Sequence, residues 1–312
     1  MYIQKSLAES RITGRSATAP IGLTEPLQNV HSLEDILIHA RTGRFSTKKK
    51  YPWEVSADKT ALFRDERMRL AAIKWIVFCS DGDLKNIKKK DFELKGILEV
   101  LEYYHRSVYW AFVTVGYAHS LKATIKHSEN GLFDDWKVYP WEMERTPRGI
   151  YLNKQIRIAA VKWLMSHNLN PCELLREDFI NSRLGGLLAT YYKDQPYLAL
   201  VESGFAYSSS EIKSMATTET FGDAKVYPWE MTRTPDIVFK DIDLQKAAIK
   251  WLAWVCKKAY RNLDFEDFKK YLRGFTSDCS AFDVLYRLGF VAESDREYMS
   301  RNRPRLELIH AL

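Results

Sequence analysis

The 312-residue chain is poor in cysteine, with only four, and has no long apolar run. Cys79, Cys172, Cys256 and Cys279 stand far apart, with no CxxC pair and no Cys/His cluster. Neither a disulfide framework nor a zinc site is therefore expected, and a reducing, cytoplasmic setting is the default. No stretch reaches the roughly 18 apolar residues of a membrane span, so neither membrane nor metal is expected among the partners. The opening MYIQKSLAESRITGRSATAP lacks the apolar core of a secretory signal. Walker A, GxGxxG after a strand, HExxH and GxSxG are all missing. No catalytic residue is assigned, no cofactor is expected, and the chain is not expected to be an enzyme.

What is present is ample core material and a modest positive charge. Hydrophobic residues make up 46%, with nine Trp, which argues against wholesale disorder. The net charge is +7, and residues 1–50 supply +4 of it, from eight Lys/Arg against four Asp/Glu. A basic bias of this size permits nucleic-acid binding without requiring it.

The dominant feature is a repeat. Tyr51-Pro52-Trp53-Glu54 recurs as Tyr139-Pro140-Trp141-Glu142 and Tyr227-Pro228-Trp229-Glu230, spaced by 88 residues each time. Ala71-Ala72-Ile73-Lys74-Trp75 recurs at the same period as Ala159-Ala160-Val161-Lys162-Trp163 and Ala247-Ala248-Ile249-Lys250-Trp251. Asp-Phe pairs follow at Asp91, Asp178 and Asp267, then Gly-aromatic pairs at Gly116, Gly204 and Gly289. Four markers in one order, three times, establish tandem repeats. The period also extends upstream, since HSLEDILIHARTGRF from His31 aligns with HSLKATIKHSENGLF from His119. The expected domains are an irregular arm at 1–30 and repeats at 31–118, 119–206 and 207–312, the last with a C-terminal tail.

Each repeat reads as a small all-α domain of three main helices, the last two short and joined by a tight turn in the manner of a helix-turn-helix. In the second copy NKQIRIAAVKWLMSH has helical spacing of its apolar residues, SRLGGLLATYY is a shorter helix, and Gly204 ends YLALVESG. Ser32 and Gly43 bound a lead-in helix in the first copy. Its more polar counterparts in copies two and three are expected to be frayed helices or linkers.

The repeated residues divide into anchors and candidate contacts. Trp53, Trp141 and Trp229 are expected to plug cores, because an indole following a proline has a defined direction and much apolar surface to bury. Trp75, Trp163 and Trp251 share a helix stripe with the paired alanines and are expected to pack in the core. Lys74, Lys162 and Lys250 admit two readings: a phosphate contact repeated along a duplex, or an ion pair with Glu54, Glu142 and Glu230. Arg41, Arg44, Lys48, Lys49 and Lys50 form the densest basic cluster and the best candidate for tracking a nucleic-acid backbone. Lys88-Lys89-Lys90, Lys257-Lys258 with Arg261, and Arg301, Arg303 and Arg305 are smaller clusters that a solvated face explains. His31 and His39 are in register with His119 and His127, but copy three has Tyr207 and Met215 there. No shared site needs those histidines, and they read as surface or packing residues.

KVYPWEM, AAVKWL, EDF, LGGLLATYY and QPYLALVESGF together resemble the YPWE-type tandem helical repeats, of unassigned function, in Gram-positive bacteria and their phages. More distantly, they resemble the helix-turn-helix-like repeats appended to homing endonucleases, which are taken to bind DNA. The resemblance covers about residues 45–290 and implies a nucleic-acid-associated repeat protein, without a nuclease. The expected function is thus non-enzymatic DNA binding, as in a phage or prophage regulator, through the basic segment and the third helix of each repeat. The alternative is a protein-interaction scaffold, such as a phage factor that binds and inhibits a host protein.

Overall fold

In the computed structural model, which describes residues 29–272, 275 and 280–301, the chain is all-α. Among those residues there are seventeen α-helical segments, many of one or two turns, and no sheet. Nine helices have eight residues or more. They are α1 (Leu33–Thr42), α2 (Glu66–Cys79), α3 (Val108–Val115), α4 (Leu121–Asn130), α5 (Lys154–Met165), α6 (Gly185–Tyr192), α7 (Pro196–Ser203), α8 (Ser209–Thr218) and α9 (Ile242–Cys256). The chain divides into two compact units, Met1–Tyr117 and Ala118–Leu312. Almost all of the expected N-terminal arm lies outside the described residues, as do Cys279, Arg303 and Arg305.

Local rules explain why one path recurs at the 88-residue period. Ser32, Ser120 and Ser208 each accept a hydrogen bond from the amide three residues on, and so open α1, α4 and α8. Ten-residue helices are marginal alone. These three persist because Ile36, Thr124 and Ile212 are fully buried, on helices packed against α2, α5 and α9 respectively. The expectation of frayed helices or linkers in copies two and three is therefore corrected. A capped start and one or two buried positions suffice once the long helix provides a wall.

After each lead-in helix the chain turns back, and one parallel bridge closes the loop. Val30 pairs with Lys50, Ala118 with Val138, and Ala206 with Val226. The amides of His31, His119 and Tyr207 donate to the carbonyls of Lys50, Val138 and Val226 at 2.9, 3.0 and 3.0 Å. The next residues are the Tyr-Pro-Trp-Glu. Its Glu reaches back to accept the Tyr amide, at 2.7 Å in copy one and 2.8 Å in copies two and three. This is the carboxylate half of a capping box, with Pro beginning the turn. The geometry stacks each Tyr on its Trp, with ring centroids 5.0, 5.4 and 5.2 Å apart. Each Trp then meets the Trp of the long helix, at 5.7 Å in all three copies.

All six of these indoles are buried, and the paired alanines beside them are fully so. Small residues let neighbouring elements approach the helix next to the large ring. Asp91, Asp178 and Asp267 each accept the amide three residues earlier, at 2.7, 2.7 and 3.0 Å, so the Asp of the Asp-Phe pair starts a short helix. The Phe beside each is fully buried. The second unit contains two such cores. One surrounds Trp141, Val161, Phe179 and Leu200, and the other surrounds Trp229, Ile249, Phe268 and Leu285.

Candidate functional site

The residues common to the copies serve this frame. Lys74 Nζ donates to the Ala40 carbonyl at 3.0 Å, Lys162 to Ser128 at 3.3 Å and Lys250 to Ala216 at 2.9 Å. Those carbonyls lie in the last turns of α1, α4 and α8, where acceptors lack intrahelical partners and a cation is favourable. The structure thus turns each lysine toward a helix end and each glutamate toward a tyrosine amide, so the ion pair between the two, one of the two expected readings, is not what holds them. Desolvation raises the Glu230 carboxyl above its usual range, against the lowering pull of the Tyr227 amide that it accepts.

The third helices of copies one and two offer few polar contacts. α3 has no charged residue. α7 has only Glu202, clamped by Arg157 at 3.0 and 2.7 Å and also hydrogen-bonded by the Tyr192 hydroxyl. Both helices are largely packed.

Differences concentrate in the segment from the last turn of each lead-in helix to its bridge. In copy one Arg41, Arg44, Lys48, Lys49 and Lys50 are all exposed there. The equivalent residues are Glu129, Leu132, Trp136, Lys137 and Val138 in copy two, and Thr217, Thr220, Ala224, Lys225 and Val226 in copy three. A constant frame therefore presents one basic loop, one mixed loop and one nearly neutral loop.

The mixed loop overturns the expectation that the chain has no metal site. His119, His127 and Asp134 each place one potential ligand atom within 4.8 Å of the others'. His119 follows the first bridge residue, His127 lies on α4, and Asp134 lies just beyond Gly131, which ends α4 with a left-handed backbone. His119 Nε2 is 2.8 Å from Asp134 Oδ1, and His127 Nδ1 is 3.7 Å from Oδ2. The Tyr139 hydroxyl braces the set: it accepts the Asp134 amide at 3.1 Å and meets His127 Nδ1 at 2.8 Å. The His119 ring stacks on Tyr139, with centroids 4.5 Å apart. Burial lowers the His119 pKa against the opposing pull of Asp134, so its imidazole is neutral at pH 7. Burial likewise pushes the Tyr139 phenol up to about 12.

Sequence reasoning dismissed these histidines because copy three lacks them. The signal it passed over was Asp134, in register with Ser46 and Gly222. One carboxylate turns a shared pair of histidines into a possible ligand set.

No family model matches the chain, and no curated protein or solved structure matches it.

Proposed function

We propose that this chain is a non-enzymatic, tandem-repeat nucleic-acid-binding protein that engages phosphates through the basic loop of its first repeat. The observation that carries this reading is the exposure of Arg41, Arg44, Lys48, Lys49 and Lys50 within one ten-residue stretch. At the equivalent positions the same frame elsewhere carries uncharged or acidic residues apart from Lys137 and Lys225. Phosphate contacts of this kind supply affinity and position without reading sequence. Lys74, Lys162 and Lys250 belong to the frame in this reading, since their ammonium groups already serve helix ends. The resemblance to YPWE-type repeats and to endonuclease-associated repeats, three domains of about 88 residues with a helix-turn-helix-like core, and a regulatory role in a phage or prophage belong to the same proposal.

A protein partner is the second reading. It is favoured by Leu132 and Trp136, which are 72% and 71% exposed on the equivalent loop of copy two, and by the packed third helices of copies one and two.

Binding to random duplex DNA separates the two. About five phosphate contacts give a log–log salt slope near −4.5, or roughly a 500-fold loss of affinity between about 50 and 200 mM salt. Replacing Lys48 and Lys49 by Ala should flatten that slope by about two. Absence of binding at low salt favours the protein partner.

A further inference from the structure

The three copies amount to an internal comparison of one pocket. Its wall is the Tyr of the Tyr-Pro-Trp-Glu, and its contents come from the residue after the first bridge residue, the lead-in helix and the loop. Copy one has His31, His39 and Ser46, copy two has His119, His127 and Asp134, and copy three has Tyr207, Met215 and Gly222. The phenol holds the loop in every copy, accepting the amide of Ser46 at 2.9 Å, of Asp134 at 3.1 Å and of Gly222 at 3.2 Å. Its hydroxyl meets His39 at 3.0 Å, His127 at 2.8 Å and the Met215 sulfur at 3.6 Å. In copy three a Cβ on Gly222 would lie 3.0 Å from the Tyr207 hydroxyl. There the phenol fills the space that the Asp134 side chain takes in copy two.

We propose that His119, His127 and Asp134 bind one divalent transition-metal ion of the zinc class, and that this ion ties the loop after α4 to the start of the repeat. Two imidazoles and one carboxylate suit zinc or cobalt, whereas calcium and magnesium prefer oxygen ligands alone. The spacing fits. Ligand atoms about 2.0–2.1 Å from a tetrahedral zinc lie about 3.3 Å from each other. The two nitrogen–oxygen separations, 2.8 Å to Asp134 Oδ1 and 3.7 Å to Asp134 Oδ2, bracket that value. The ligand atoms of the three residues all lie within 4.8 Å of one another, so coordination asks for side-chain shifts rather than a new backbone path.

Coordination through His127 Nδ1 would displace its 2.8 Å contact with the Tyr139 hydroxyl, which still holds the loop by accepting the Asp134 amide. Access is one-sided: the His119 side chain is 4% exposed, while those of His127 and Asp134 are 24% and 30% exposed. An ion would thus enter from the loop side and keep a position for water or a partner's ligand. Lys137 exerts a charge on His119, and its ammonium lies over the exposed Trp136 ring at 4.2 Å.

Cobalt is a suitable probe, because its visible absorption reports ligand type and geometry. The full chain, free of any affinity tag and stripped with chelator, would be titrated with Co2+ and then with Zn2+. The proposal expects absorption bands that saturate at one equivalent and vanish on zinc addition. Trp136 fluorescence, assigned by difference with Trp136→Phe, should be quenched along the same curve. Asp134→Ser and His127→Met place in copy two residues that the frame already accommodates in copies one and three. Outer-shell losses alone cost about 10–100-fold in metal affinity, so each of these ligand losses should weaken binding by at least about 100-fold. Circular dichroism checks that both variants are folded. His39→Met, in copy one, should leave the titration unchanged. Failure to bind Co2+ or Zn2+ at a defined stoichiometry would overturn the proposal. So would affinities that do not change in folded Asp134→Ser and His127→Met. In either case the cluster is a hydrogen-bonded His–Asp pair only.

Discussion

Single residues show how the repeat spends its largest side chains. The indole nitrogens of Trp53, Trp141 and Trp229 are buried with no hydrogen-bond partner. These rings therefore act by volume and stacking, and their N–H groups contribute nothing that Phe would lose. Trp141→Ala should cost about 3–5 kcal/mol, and Trp141→Phe clearly less, as urea unfolding would measure. Plugging by these indoles was legible in the sequence, because an aromatic fixed by a preceding proline at a constant period has little other use. The destinations of Lys74, Lys162 and Lys250 were not legible. A helix-end carbonyl 34 residues upstream leaves no mark on the sequence pattern. His119 adds a pH dependence. Its folded pKa lies below the unfolded value of about 6.5, so the folded state binds fewer protons in the interval between them. Stability should rise with pH across that interval and level off above it. The facing groups are Asp134, His127 and Lys137. With chelator present, acidification from pH 7.5 to 5.5 should lower the melting temperature. The drop should be smaller when His119 and Asp134 are replaced together by Tyr and Gly.

At the scale of elements, α1, α4 and α8 carry the clearest lesson about what a sequence reveals. Their polar surfaces suggested weak helices in two copies, yet all three are capped and docked on the long helix that follows. The long helices α2, α5 and α9 were readable from apolar spacing alone. The lead-in helices depend on a wall that only the folded repeat provides. The bridge that follows them sets which side chains meet, and so made the His119–Asp134 contact invisible to a search for nearby ligands in sequence. Exchange of pocket contents tests this view of a fixed frame. His119→Tyr alone should be destabilising, because the Asp134 side chain occupies the room that Gly222 leaves for Tyr207. Adding Asp134→Gly should recover part of the loss. The double-mutant cycle should show a favourable coupling of about 0.5–3 kcal/mol, measured by urea denaturation.

For the whole molecule, conservation of the frame and divergence of the loops point in one direction. Shared residues such as Lys74, Glu54 and Trp53 are occupied in building the repeat. The copies differ most around the lead-in helix and the loop that follows it: five exposed cations in copy one, a His/His/Asp cluster in copy two, and mostly small polar residues in copy three. Binding therefore need not be spread equally along the chain, and a truncated or loop-exchanged protein should lose one function without losing the fold. The most direct measurement is the salt dependence of binding to random duplex DNA, for the full chain and for Lys48→Ala/Lys49→Ala. The account predicts a log–log slope near −4.5, flattened by about two in the variant. No binding at low salt, or the same slope in both proteins, would contradict it.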